Sequence, residues 1–336
     1  MRVAVDAMGG DHAPLEIIQG AAGGLRFLQP DDELLLYGPQ DRVAAECAAI
    51  GLTDPRVKFR HCTQVIEMND HPVTDALRQK RDSTIVRMAV DASKKEADAV
   101  ITAGNTGAFV AACQLRIGVI NGVSRLGIAV VMPTFHGPVL ICDVGANPTP
   151  KPHHLYEYAR MCDVYARRIL EKDSPRIAMI SIGEEDVKGT SLIKEARALI
   201  KQDRRLHLVG NAEGRDVFSG SADIFICDGF VGNVILKLTE SVAEGLFKTI
   251  TRELAGDDPQ LASRFEPVVA RIWKKHDFAE YGGAPLLGLN SVGIICHGRS
   301  DRRAISNAIR VAVEQVRINL NHQFAEQIAA TPEYAT

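Results

Sequence analysis

Short apolar segments alternate with helix-spaced segments along nearly the whole chain. The apolar segments lie at 2–6, 33–37, 57–61, 98–102, 127–132, 138–142, 176–182, 206–210, 223–227 and 292–296. Between most of them, apolar residues recur at every third or fourth position, as at Leu155, Ala159, Cys162 and Ala166. Strands that alternate with helices predict a mainly parallel sheet covered by helices, a three-layer α/β/α fold.

One pair of strands is predicted to break the parallel pattern. The segments 127–132 and 138–142 are joined by a short stretch containing Pro133 and Gly137, which favours an antiparallel hairpin. No internal repeat and no linker rich in proline or serine divides the 336 residues. We therefore expect one α/β domain over residues 1–336, built either as a single body or as two lobes around a central cleft.

Residues 234–276 depart from the alternation and predict a projecting helical arm within this domain. Apolar residues at Val242, Leu246 and Ile250 keep helical spacing, and a second helical segment follows the turn at 256–259. The apolar faces of these helices are expected to pack on the protein body or on a second subunit. Lipid contact is the alternative.

The charges of the arm bear on the lipid alternative in opposite directions. Arg271, Lys274 and Lys275 would attract anionic lipid, whereas Asp257 and Asp258 at the turn would be repelled by it. The sequence leaves the two uses of the arm open.

Composition excludes several other classes of protein. The formal net charge of −3 and the pI of about 6.4 argue against a nucleic acid partner. The seven cysteines lie mostly inside apolar segments without a Cys-x-x-Cys pair, which predicts reduced cysteines in a cytoplasmic protein. We find no leader and no apolar run near the roughly 18 residues that a membrane-spanning helix needs, so we expect neither export nor membrane insertion.

Loops rich in glycine and asparagine follow several predicted strands. The first strand ends at Asp6 and is followed by Gly9, Gly10 and His12. Ligands of open α/β sheets bind at the carboxyl ends of strands, and helix starts there present backbone N–H groups to anions. Similar loops lie at 104–107, 143–148, 183–190, 211–216 and 228–233. Together they predict one crevice that binds an anion such as phosphate.

Missing motifs narrow the chemistry. The chain has no Gly-x-Gly-x-x-Gly after the first strand, no phosphate loop of the Gly-x-x-x-x-Gly-Lys-Ser/Thr type, no Gly-x-Ser-x-Gly and no His-Glu-x-x-His. The sequence therefore argues against four kinds of reaction: hydride transfer, ATP-driven chemistry, hydrolysis by a nucleophilic serine, and zinc-dependent proteolysis. The adjacent His153 and His154 point about 100° apart on a helix and cannot chelate one metal together.

Six sequence blocks resemble one family, the bacterial phosphate acyltransferases (PlsX). The blocks are 5–14 (VDAMGGDHAP), 104–108 (GNTGA), 143–147 (DVGAN), 228–233 (DGFVGN), 281–284 (YGGA) and 297–300 (HGRS). The resemblance implies the architecture shared by phosphotransacetylases and the isocitrate and isopropylmalate dehydrogenases. It also implies a homodimer, with peripheral contact of the two-helix arm with the inner face of the cell membrane or with the downstream membrane acyltransferase.

The resemblance implies a specific reaction that needs no metal or cofactor. Inorganic phosphate displaces acyl carrier protein from a long-chain acyl thioester, and the acyl phosphate formed feeds phospholipid synthesis. For this reaction we assign catalytic roles to Lys188, Asp6, Asn233 and Asp228. We assign substrate contacts to Gly9, Gly10, His12, Gly104, Asn105, Thr106, Asp143, Asn147, Lys151, Asn211 and His297.

Within this set, roles follow from side-chain chemistry. Lys188 or Lys151 would hold the phosphate, and an asparagine amide would stabilise the thioester oxyanion. An acid at Asp6, Asp143 or Asp228 would orient a lysine or water. The acyl chain would lie against residues 230–238 or the 285–287 loop, and arginine pairs at 167–168, 204–205 or 302–303 would dock the acidic carrier protein.

Three alternatives remain open at this point. The chain could act on acyl-CoA, as phosphate acetyltransferases do, or belong to the metal-dependent dehydrogenases that share the architecture. It could also be a non-catalytic scaffold on the membrane surface, with the arm as its working part. Three assays distinguish these alternatives. Thiol release from carrier protein or CoA thioesters tests the acyl donor, NAD reduction tests dehydrogenase activity, and liposome binding tests the scaffold.

Overall fold

A computed structural model describes residues 1–257, 259–276 and 278–330. The strands are β1 (Arg2–Asp6), β2 (Glu33–Gly38), β3 (Val57–His61), β4 (Ala99–Thr102), β5 (Gly127–Thr134), β6 (Gly137–Cys142), β7 (Arg176–Ile180), β8 (His207–Ala212), β9 (Ile224–Ile226), β10 (Ala284–Leu287) and β11 (Val292–Ile295). The helices are α1 (Leu15–Gly24), α2 (Gln40–Ala49), α3 (Val73–Gln79), α4 (Thr84–Ser93), α5 (Thr106–Arg116), α6 (Pro152–Arg168), α7 (Ser191–Gln202), α8 (Gly229–Asp257), α9 (Pro259–His276), α10 (Arg302–Arg317) and α11 (Leu320–Ala329).

The strands form one eleven-stranded sheet in the order β3-β2-β1-β4-β11-β10-β5-β6-β9-β7-β8. Strands β3, β2, β1, β4 and β11 are parallel to one another, and so are β6, β9, β7 and β8. The pairs β11–β10, β10–β5 and β5–β6 are antiparallel. The two parallel halves therefore run in opposite directions, with β10 and β5 between them.

Alternating side chains on the strands bury both faces of the sheet. Val3 and Val5 belong to a cluster that includes Ile17 of α1 and Ile309 of α10, whereas Ala4 belongs to a cluster on the opposite face. A third cluster joins α6, α7 and α11 to the second half of the sheet. The predicted three-layer α/β/α fold with a mostly parallel sheet is confirmed, and so is the hairpin, as β5 and β6.

One strand was missed, and the predicted 285–287 loop is wrong. These residues belong to β10, where Leu286 and Leu287 are buried in the core between β11 and β5. They therefore pack within the sheet, and only Ala284 at the start of β10 lines the large cavity described below.

Two long helices occupy the segment predicted as an arm. Helix α8 starts at Gly229, five residues before the predicted boundary, and runs for 29 residues, and α9 follows it and packs along it. Asp258, which the lipid argument used, lies outside the described residues, and the side chains of Asp257, Lys274 and Lys275 are not described. In the described part of the chain, no helix has the length and apolar character needed to cross a bilayer.

Candidate active site

Three loops meet where neighbouring strands β1, β4 and β11 end. A Cβ added to Gly9 would lie 2.6 Å from Oδ2 of Asp6 and 2.8 Å from the amide nitrogen of Gly104, so only glycine allows the first two loops to approach so closely. The backbone N–H of Asp11 donates to the carbonyl oxygen of Gly298 at 2.7 Å. The predicted residues Gly9, Gly10, His12, Gly104 and His297 therefore belong to one loop cluster.

Asp6 lies beneath this cluster, away from solvent. Its Oδ2 accepts a hydrogen bond from the Thr102 hydroxyl at 2.8 Å, and that hydroxyl accepts the Gly104 N–H at 2.9 Å. Burial raises the pKa of Asp6, although the hydrogen bonds that its carboxylate accepts, that from Thr102 among them, oppose the shift. Asp6 is thus placed to orient the 104–106 backbone, and its predicted catalytic role remains a prediction.

Asn105 and Thr106 begin helix α5. Oδ1 of Asn105 accepts the N–H of Ala108 at 2.9 Å, and its amide donates to the carbonyl oxygens of Glu67 and Met68. Both polar ends of the buried Asn105 side chain therefore have protein partners, as expected of an N-cap residue. Thr106 and Gly107, in the first turn of α5, line the large cavity.

The second half of the sheet supplies a compact loop around Asp143. This buried carboxylate accepts backbone N–H groups from Ile128, Gly145, Ala146 and Asn147 at 2.6 to 3.1 Å. Burial raises the pKa of Asp143, and the four hydrogen bonds counter that shift. The side-chain amide of Asn147 also donates to Oδ2 of Asp143, at 3.4 Å. Because these bonds tie the 143–147 loop to itself and to β5, the geometry makes Asp143 the organiser of this loop.

Helix α8 begins beside this loop. Oδ1 of Asp228 accepts the N–H of Val231 at 2.9 Å, which caps the helix. The amide of Asn147 donates to the carbonyl oxygen of Leu126 and to the Tyr158 hydroxyl. Asn233 is exposed on the first turns of α8, and its Oδ1 lies near Gly145. Of the predicted residues in this group, Asn233 is the one whose side chain has no hydrogen-bond partner in the described part of the chain.

A cavity of about 1690 Å³ lies between the two loop groups and helices α8 and α9. From the first half of the sheet it is lined by Thr106 and His297, and from the second by Gly145 and Asn233. Its apolar lining consists mainly of Ile128, Val130, Val131, Val144, Leu236, Phe247, Leu254 and Val269. The N-termini of α5 and α8 and an apolar channel therefore face the same cavity.

Of the predicted site residues, Thr106, Asn233 and His297 line this cavity, and the others, among them Lys188, Asn211 and Lys151, do not. Lys188 is exposed in the loop after β7, and the amide of Asn211 ties the end of β8 to that loop through the carbonyl oxygen of Glu185 at 3.0 Å. Lys151 is the exposed N-cap residue of α6. The structure brings Lys188 and Asn211 together but places neither against Thr106, Asn233 or His297.

Sequence reasoning missed the cations of the cavity wall, which include Lys237 and Arg299. Nζ of Lys237 lies 3.0 Å from Oε2 of Glu240, one turn further along the same helix. Lys237 follows Asn233 by four residues, so the helical spacing that placed Asn233 at the site could have found Lys237 too. The amphipathic pattern of α8 indicates its apolar face and does not distinguish Lys237 from other polar residues of the helix.

No metal-binding cluster of three or more histidine, cysteine or acidic side chains is present among the described residues. The seven cysteines are buried, and burial raises the pKa of the Cys62 thiol and of the Cys296 thiol to about 12 each. The polar lining of the cavity includes the amide of Asn233, the imidazole of His297, the cationic groups of Lys237 and Arg299, and carboxylates such as that of Glu240.

Solved structures with the same fold define a class. A phosphotransacetylase from Streptococcus pyogenes superposes with a TM-score of 0.63 at 18% identity and covers 95% of this chain and 94% of its own. The EutD phosphotransacetylase from Staphylococcus aureus gives 0.59 at 16%, with 94% of each chain covered. A 4-hydroxythreonine-4-phosphate dehydrogenase from Klebsiella pneumoniae gives 0.51 at 14%, with 94% of this chain and 97% of its own covered. At such identities the likeness establishes the fold, which is that of the phosphotransacetylases.

Sequence relatives identify the family within that class. The family model described as "Fatty acid synthesis protein" matches residues 1–323. A phosphate acyltransferase from Desulfitobacterium hafniense is 44% identical over 319 residues, 94% of each chain, and one from Heliobacterium modesticaldum is 42% identical over 337 residues, 99% of each. The chain belongs to the phosphate acyltransferase (PlsX) family and is an acyl-transferring enzyme.

Proposed function

We propose that this enzyme transfers a long-chain acyl group from acyl carrier protein to inorganic phosphate, and so supplies acyl phosphate for phospholipid synthesis. The observation that carries the proposal is the shared cavity, in which an apolar channel meets the starts of α5 and α8. An apolar channel can hold a long acyl chain, and the N-termini of helices stabilise a phosphate dianion.

Acyl transfer to phosphate does not require a covalent intermediate with the enzyme. Phosphate is already nucleophilic, so the protein must desolvate it, hold it with N–H groups and a cation, and aim it at the thioester carbon. The first turns of α5 and α8 approach the cavity from opposite halves of the sheet, with Thr106 and Asn233 on them. This arrangement supports phosphate binding between the two helix starts.

The direct test is an acyl transfer assay with purified protein, palmitoyl carrier protein and phosphate, without added nucleotide. We expect phosphate-dependent release of the carrier thiol and formation of palmitoyl phosphate, and no comparable activity with acetyl-CoA. Preference for CoA thioesters would favour the alternative phosphate acetyltransferase activity. Liposome binding without any acyl transfer would favour a scaffold.

Lys188 remains our prediction for the cation that holds phosphate. Lys188→Ala is expected to raise the phosphate KM or lower kcat at least about tenfold, because a hydrogen bond to a charged group contributes about 1.5 to 3 kcal/mol. Steady-state kinetics with varied phosphate measure both parameters. Lys201→Ala, at the exposed end of α7, is the matched control. Unchanged kinetics in Lys188→Ala, with a loss in Lys237→Ala, would assign the role to the cavity wall.

We propose a homodimer that forms through the outer face of α8. The stripe on this face consists of exposed residues that recur at every fourth position and do not line the cavity: Val234, Leu238, Val242, Leu246 and Ile250. Five further polar or charged residues of the same helix, Lys237, Glu240, Glu244, Lys248 and Thr251, line the cavity instead. The cavity face of α8 is thus mixed in polarity, whereas its outer face carries an exposed apolar stripe, which is typical of an interaction surface.

A charge placed on this stripe is expected to separate the subunits. Leu246→Glu should convert the dimer to a monomer at micromolar concentration, because a carboxylate buried in an apolar contact costs several kcal/mol. Sedimentation velocity measures the change, with Thr251→Glu, on the cavity face of the same helix, as the control. A monomeric wild type, or a Leu246→Glu protein as dimeric as wild type, contradicts this interface.

We also propose that the same stripe contacts the membrane surface, as a peripheral contact of a cytoplasmic protein. Exposed Arg271 on α9 supplies a cation near the apolar face, and Phe265 and Ile272 on that helix are exposed as well. Apolar side chains flanked by cations are typical of helices that lie on anionic lipid. Cosedimentation with anionic and with neutral vesicles, compared for wild type and Leu246→Glu, separates lipid contact from dimer contact.

A further inference from the structure

His297 has one ring nitrogen already engaged by its own loop. The backbone N–H of Arg299 donates to Nδ1 of His297 at 3.1 Å. A neutral imidazole whose Nδ1 accepts a hydrogen bond carries its hydrogen on Nε2. Among the described residues, Nε2 has no hydrogen-bond partner. The loop therefore fixes a tautomer with one unused donor.

The ring lines the same cavity as the two helix starts. His297 follows β11 directly, and β11 pairs with β4, whose loop leads into α5 and Thr106. Gly298 is held against the first loop by the bond from the Asp11 N–H. The backbone at His297 is thus held both by the end of β11 and by the loop that follows β1.

The charges around the ring favour its neutral form. Partial burial lowers the pKa of His297, and the nearby Lys237 and Arg299 lower it further, while Glu240 and Asp11 act in the opposite direction. At neutral pH the ring is then a neutral donor rather than an imidazolium. A neutral imidazole in this role has a precedent in triosephosphate isomerase, where a neutral histidine polarises the substrate carbonyl.

We propose that Nε2–H of His297 donates a hydrogen bond to the thioester carbonyl oxygen and stabilises the oxyanion that forms there during acyl transfer. This inference rests on the proposed function. A phosphate oxygen forms a bond to the carbonyl carbon while the C=O π electrons move to oxygen, where Nε2–H meets the new charge. As the C=O bond re-forms, the C–S bond breaks, its electron pair leaves with the thiolate, and the proton of hydrogen phosphate ends on the thiol. His297 keeps its own proton throughout.

The test compares two substitutions of the same residue. Leucine removes the donor, and glutamine places an amide N–H close to the position of Nε2. His297→Leu is expected to lower kcat about 100-fold or more with less than about threefold change in the phosphate KM, since losing one oxyanion donor costs about 10² to 10³ in kcat. His297→Gln is expected to retain at least about a tenth of the wild-type kcat. Equal losses in both folded variants, or a loss confined to the phosphate KM, would overturn the proposal.

A measurement on the wild-type protein covers the case in which a variant does not fold. The ¹⁵N and ¹H spectrum of the histidine rings at neutral pH is expected to show the Nε2–H tautomer for His297, and an Nδ1–H tautomer or an imidazolium would overturn the proposal. Failure of the proposed function is a separate result, because wild type would then show no phosphate-dependent release of the carrier thiol.

Discussion

Replacing Gly232 with alanine is expected to lower the free energy of unfolding by about 3 kcal/mol or more. A Cβ at this position in the first turns of α8 would lie 1.9 Å from the carbonyl oxygen of Asp143 and 3.0 Å from Sγ of Cys227. The backbone of the 143–147 loop and the start of α8 must move apart to admit it, and overpacking of a rigid contact costs about 1 to 3 kcal/mol or more. Urea unfolding at fixed protein concentration measures the loss.

Gly245 in the same helix is the matched control. A Cβ added there meets no described heavy atom within 4 Å. Gly245→Ala is therefore expected to stabilise the protein by about 0.5 to 1 kcal/mol, the helix propensity difference between the two residues. Similar unfolding midpoints for the two variants would show that the start of α8 is not packed tightly against the Asp143 loop.

The second large effect is expected at Asp143. Asp143→Ala removes the acceptor of four backbone N–H groups in a buried loop, and an unsatisfied buried donor costs about 1 to 3 kcal/mol. We expect a total loss of about 3 kcal/mol or more in urea unfolding, because the four costs are not additive. Asp143→Asn keeps one acceptor oxygen and should lose less.

Asp228→Ala provides the comparison for this second prediction. It removes one capping bond, at the half-buried Asp228 before α8, for which about 1 kcal/mol is typical. A loss in Asp143→Ala no larger than that in Asp228→Ala would contradict the assignment of Asp143 as the organiser of the loop.

The sequence was informative about strands because period and burial are local properties. Strands such as β1 and β4 are continuous apolar runs, as expected when helices cover both faces of a sheet. Strand β10 escaped because Ala284–Leu287 is short, contains Pro285 and lies between Gly283 and Gly288. Those features are typical of a loop, and only the pairing with β11 and β5, distant along the chain, makes the segment a strand.

The loops of the candidate site could be predicted from the sequence, but the contacts that each side chain makes could not. Asn105 and Asn147 lie in the predicted loops, yet their amides bond to protein carbonyl or hydroxyl groups. Whether an amide points to a ligand or to its own backbone depends on contacts that the local sequence does not contain. Lys237 was missed because its position at the cavity follows from the direction of α8.

The length of α8 links two regions of the enzyme mechanically. A helix of 29 residues extends about 44 Å, and its first turn is wedged against the Asp143 loop. A tilt of about 5° about that wedge displaces the distal end by about 4 Å. A partner bound to the distal part of α8 would therefore act on the cavity that this helix lines.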